Sequence, residues 1–161
     1  MKRHRALHRL SWGHHHGLVL VRRLRWNLHS PVREYTPLPD LVDALLHVWD
    51  DDLLPHFAAE EAILIPLSER WLGPQDVFVT RIRTEHQTFH RLVAQITASR
   101  SDPATCVPLL QQFGELLDAH IRFEEREWFE ALQAVLDAET LATIDAALTA
   151  RLPSARGGAM T

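Results

Sequence analysis

Apolar positions recur every three or four residues along nearly the whole chain, and no stretch alternates with a period of two. Leu7, Leu10, His14, Leu18, Val21, Arg25 and Leu28 share one broad face, which predicts a helix from about Ala6 to Leu28. Pro31, Pro37 and Pro39 mark the loop after it. A second helix is expected from near Asp40 to Trp71, bent at Pro55, which lacks a backbone donor. Gly73-Pro74 makes a turn, and a third helix follows from about Gln75 to Ser99. After the break "SRSDPATCVP", a fourth helix is expected from about Val107 to Leu136 and a shorter one from Asp137 to Leu152. The pattern predicts an all-α chain: an up-down-up-down four-helix bundle with a short additional C-terminal helix, one domain over residues 1–152. Residues 153–161, "PSARGGAMT", read as a disordered tail.

Composition alters this picture at one point only. The chain has 161 residues and a net charge of -4, which gives no bulk attraction for nucleic acid or a membrane surface. No apolar run reaches the length of a signal peptide or a membrane span. The single cysteine, Cys106, fits a reducing compartment, so a cytoplasmic location is expected. The anomaly is histidine, with 11 copies against 17 lysines and arginines.

Those histidines are placed by turn geometry. In an antiparallel hairpin, residues equidistant from the turn lie at one height, because both helices rise equally per residue. Glu60 and His86 are each 13 residues from Gly73, and His56 and His90 are each 17 from it. The midpoint between His14 and the His56/Glu60 pair falls in the Pro31–Pro39 loop. The midpoint between His86/His90 and His120/Glu124 falls at residue 105, at the third break. Three turns therefore place His14, His56, Glu60, His86, His90, His120 and Glu124 in one layer. On the first helix, Leu10 and Leu18 flank His14 one turn away on either side, which favours it over His15 and His16, although His16 also has apolar neighbours. Glu124 lies about 40° around the helix from His120 and Glu125 about 140°, so Glu124 is expected inward and Glu125 mostly outward. The same arithmetic favours Glu60 over Glu61.

An isolated His-x-x-x-Glu is usually a solvated pair on a helix surface. Two carboxylates converging with five histidines inside a bundle are different, because buried unpaired carboxylates cost several kcal/mol each and a cation offsets that cost. Mixed imidazole and carboxylate donors suit iron, manganese or zinc better than calcium. Seven donors exceed the need of one tetrahedral zinc, so two ions are expected. Two octahedral ions offer twelve positions. Five histidines, two bridging carboxylates and a bridging oxide or hydroxide leave one position open, suited to a small diatomic or peroxide ligand.

The segments "HHH", "HFAAEE", "EHQTFH" and "HIRFEE" resemble the hemerythrin and hemerythrin-like HHE cation-binding family over about residues 7 to 136. The resemblance implies an oxo- or hydroxo-bridged pair of iron ions, with Glu60 and Glu124 as bridges and the five histidines as terminal ligands. It also implies a role in binding dioxygen or a related molecule; peroxidase-like or nitric-oxide chemistry and iron or oxygen sensing are the alternatives. In two places the chain departs from the family. The last helix carries His-x-x-x-Glu where oxygen carriers resemble His-x-x-x-x-Asp, and Gly13 stands where many relatives look acidic. Tyr35, Trp49 and Trp128 are candidate pocket residues. Oligomeric state has no signature in the sequence.

Overall fold

The computed structural model describes residues 4–29 and 36–152, and every regular element among them is helical. Pro31, Tyr35 and the tail at 153–161 lie outside the described residues. A single 3₁₀ turn, Arg5–Leu7, leads into α1 (His8–His29). The second helical run is continuous but changes its winding: α2 (Leu38–Val48), a π-helical segment (Trp49–Leu53), α3 (Leu54–Ala59), a second π segment (Glu60–Leu64) and α4 (Ile65–Trp71). Then come α5 (Val77–Ala98) and α6 (Pro103–Phe123), which runs through a third π segment (Glu124–Trp128) into α7 (Phe129–Val135). The last helix is α8 (Ala138–Arg151).

Local chemistry sets the boundaries. Asp76 accepts from the amides of Phe78 and Val79, which starts α5 two residues later than the periodicity suggests. Asp102 accepts from the Ala104 amide, with Pro103 at the first helical position, so α6 begins four residues earlier than expected. The stretch "SDPAT" is a capping signal, and Pro108 is carried inside the helix. Gly73 takes φ 110°, a left-handed conformation open to glycine, and turns the chain between α4 and α5. Pro55 and Pro66 each stand near the start of a new α segment directly after a π segment. The ladder is relaid there, and a missing N–H costs least at a fresh start.

The helices bury two apolar clusters. One contains Leu24, Leu45, Trp49, Phe57, Phe89, Phe113 and their neighbours. The other contains Leu7, Leu10, Ile65, Ile82, Trp128, Phe129 and one face of α8 through Leu141, Ile144 and Leu148. In every long helical run the buried histidines and glutamates fall where the sequence passes from one cluster to the other: His14 in α1, His56 and Glu60 in the second run, His86 in α5, and His120 and Glu124 in the last. No helix among the described residues is long and apolar enough to cross a membrane.

Candidate metal centre

Six of the seven expected residues meet in this polar layer, each with no more than 4% of its surface exposed. Their donor atoms form two groups, His14–His56–Glu60–Glu124 and Glu60–His86–His120–Glu124, with all atoms of a group within 4.8 Å of one another. Glu60 and Glu124 belong to both. On α1 the buried ring is His14; His15 and His16 are exposed, and His16 pairs with Asp52 at 2.8 Å.

His90 is not brought to the layer. It is exposed, and its ring stands edge-on to Trp49 with centroids 5.0 Å apart. His90 is expected at the height of His56, yet its ring meets Trp49, seven residues before His56 in the second run, and lies outside both donor groups. The aromatic rings of Phe57 and Phe89 occupy the interior next to the layer instead. Four imidazoles, not five, face the two carboxylates.

The arrangement has the marks of a ligand set. His14 Nε2 lies 2.9 Å from Glu124 and His56 Nε2 3.1 Å from Glu60. His120 Nε2 lies 3.0 Å from Glu124 and His86 Nε2 3.4 Å from Glu60. Yet both oxygens of Glu60 and Glu124, and Nε2 of His86 and His120, are buried without a hydrogen bond. Close approach without hydrogen-bond direction means that the lone pairs converge on shared points instead of on each other. Orphaned buried carboxylates are costly, and cations at those points satisfy all of them. The donors therefore fit metal ions with mixed nitrogen and oxygen preference.

Three more carboxylates complete the site. Glu125 accepts from His14 Nδ1 at 2.7 Å, Glu61 from His86 Nδ1 at 2.8 Å and Glu85 from His120 Nδ1 at 2.7 Å. Each contact fixes the ring tautomer and turns Nε2 inward, which is how outer carboxylates orient metal-binding histidines. Arg81 holds Glu85 in turn at 2.7 Å. Rotation by 100° per residue turns Glu61 and Glu125 to the outside of the layer, where Glu61 is exposed and Glu125 half-buried. Both follow the first residue of a π segment, and from there the second glutamate of each doublet meets a histidine on a neighbouring helix. The available signal was adjacency, since Glu61, Glu85 and Glu125 each sit beside a layer residue in sequence.

Protonation follows from these contacts. Burial disfavours charge on His120, but Glu124 and Glu85 outweigh it and raise its pKa to about 10. His14 is likewise buried, and Glu124 and Glu125 lift it to about 9. Burial and the neighbouring His14 charge press His56 down to about 3. Burial and Glu124 push Glu60 up to about 7, whereas His120 and His14 overcome burial and hold Glu124 well below the usual carboxylate range.

Of the candidate pocket residues, Trp128 is fully buried and donates from Nε1 to Ser68 Oγ at 2.8 Å, while Trp49 is buried beneath the exposed His90 ring. Residues 4–132 match the family model described as the hemerythrin HHE cation binding domain. No curated protein and no solved structure shows a significant match to the chain.

Proposed function

The chain belongs to the hemerythrin HHE cation-binding family, and from that premise we propose that it holds two iron ions in the polar layer of an up-down-up-down bundle and binds dioxygen or a similarly small molecule there. One observation carries the reading: two buried four-donor groups share Glu60 and Glu124. His14 and His56 would serve one ion, His86 and His120 the other, and the two glutamates would bridge them. Bound iron supplies reversible electron transfer toward a small oxidising ligand. The chain's own residues set the conditions for it. Glu61, Glu85 and Glu125 keep the Nδ1 protons in place and present Nε2 as the donor. Phe57, stacked on His86 at 4.1 Å, and Phe129, stacked on His14 at 5.8 Å, keep water from the imidazoles. Four neutral imidazoles and two carboxylates give less negative charge than a carboxylate-rich set, which favours binding over attack on strong C–H bonds.

A second reading, a redox enzyme acting on peroxide, is supported by the donor count. With His90 turned outward, the two donor groups are equal, and each ion would keep a free position where the five-histidine set left one. Both readings are tested by loading metal-free protein with ferrous iron under anaerobic conditions, counting bound metal, and then admitting air. About two irons per chain, with visible charge-transfer bands that fade on degassing, is the expected result. Irreversible oxidation moves the function to the peroxide reading. One zinc or no iron overturns both.

A further inference from the structure

The centre repeats itself around an approximate two-fold pattern. Each half consists of a helix contributing one histidine and a run contributing His-x-x-x-Glu-Glu. In one half these are His14 of α1 and His56–Glu60–Glu61; in the other, His86 of α5 and His120–Glu124–Glu125. The second glutamate of each run anchors the single histidine of the facing half: Glu61 holds His86 and Glu125 holds His14. The fourth relation is broken. Glu85, the residue before His86, anchors His120. The residue before His14, which should anchor His56 by the same pattern, is Gly13.

Gly13 cannot supply a carboxylate, and the space its side chain would fill is taken by the ring it leaves unheld. A Cβ built on Gly13 would lie 2.8 Å from His56 Nδ1. That is inside any normal carbon–nitrogen contact, so the imidazole has settled into the notch that glycine leaves. Among the four layer histidines, His56 alone shows no carboxylate on Nδ1; its contacts within the layer are made by Nε2, to Glu60 at 3.1 Å and to His14 Nε2 at 3.1 Å. It lacks the outer carboxylate that fixes tautomer and ring orientation in His14, His86 and His120.

We propose that Gly13 makes His56 the exchangeable ligand of the centre, so that the ion held by His14 and His56 is the one gained last and released first. Gly13 and Glu85 are positioning residues that act through His56 and His120. The inference rests on the two-ion reading above. It adds that the ions are unequal in lability although their donors are equal in kind. The consequence for the chain is a standing one-ion state, with the His86–His120 side filled, whenever metal is scarce.

The test is the rate of iron loss from fully loaded ferrous protein to an excess of a coloured ferrous chelator, without oxygen. Two phases of equal amplitude are expected, separated by about ten- to a hundred-fold, the usual effect of removing an outer partner of a metal-bound histidine. H56A should lose the fast phase and keep one slowly released iron. E85A removes the outer carboxylate from His120, makes the second half resemble the first and should turn the slow phase fast. Either variant suffices if the other does not fold, and a general loss of structure would disturb both phases together. Loading well below two irons per chain sinks the two-ion reading itself. Loading of two with a single phase, or a slow phase that survives in E85A, overturns the present inference and leaves that reading standing.

Discussion

The segments around His56 and His120 are written with the same letters, His-x-x-x-Glu-Glu, and both run into a π-helical segment at the first glutamate. Their electrostatic fates are opposite. His120 is driven toward the charged form, its pKa raised to about 10, and His56 toward the neutral form, its pKa lowered to about 3. Against burial, Glu124, inside the second segment, does most to raise His120 and Glu85 on α5 adds to it, whereas burial and the charge on His14 prevail at His56. Glu85 on α5 faces the one and Gly13 on α1 faces the other. A motif therefore fixes which atoms arrive at the site, while their charge is set jointly by the motif's own glutamate and by the neighbouring helices.

The largest expected effect tests where the two segments ought to be equal. Glu60 and Glu124 each belong to both donor groups, so E60A and E124A should each leave both ions weakly held. Bound metal after gel filtration should fall from about two per chain to below one, whereas E127A, at an exposed neighbour, should keep both. Retention of one firmly bound ion in E124A would mean that Glu124 is not shared.

Proton release is next in size. Near neutral pH the metal-free protein should carry protons on Nε2 of both His14 and His120, and metal must displace them. Uptake should release about two protons per chain, measured by calorimetry in buffers of different ionisation enthalpy, and affinity should rise with pH. For stability of the metal-free chain, His14 and His120 titrate above their ordinary 6.5. Their contribution is full below about pH 6.5 and is lost as pH rises through about 9 and 10. His56, lowered to about 3, acts in the opposite sense and withdraws stability as pH falls from 6.5. The metal-free Tm should drop between pH 7 and 10 while the loaded protein stays level. Nitrogen NMR of the rings at pH 7 should show His120 charged and His56 neutral; two rings alike would break the comparison.

Smaller effects lie outside the layer. S68A leaves the Trp128 Nε1–H buried without its acceptor, which should cost about 1–3 kcal/mol in denaturant melts without changing the metal count. H90A should leave metal content unchanged and alter stability by less than about 0.5 kcal/mol, because the ring is exposed against Trp49. Loss of one ion in H90A would restore the five-histidine set.

Much of this was legible in the chain. Helical periodicity together with three turns fixed the height of seven residues, and six of them meet at that height. Height is a property of chain length, which the sequence carries directly. Azimuth is not, because it accumulates error with every departure from 3.6 residues per turn. His90 shows the failure, as a residue expected in the layer that is exposed and set against Trp49 instead. Glu61 and Glu125 do lie outside the layer as that rotation expects, and from there their carboxylates reach His86 and His14. The early start of α6 went unread for a plainer reason: Pro103 and Pro108 look like one broken stretch unless Asp102 is recognised as a cap.

Each π segment has a further consequence, for the lengths this chain can tolerate. A π turn holds one residue more than the α turn it replaces, so each behaves as a one-residue insertion absorbed inside a helix instead of expelled into a loop. Removing a single residue from 60–64 or from 124–128 should let the helix close into ordinary winding with its downstream apolar face restored to phase. The doublet would then keep a glutamate for the layer and lose the one that steadies a neighbouring ring. In these two windows, chain length and not residue identity separates a helix that merely packs from one that also serves the centre.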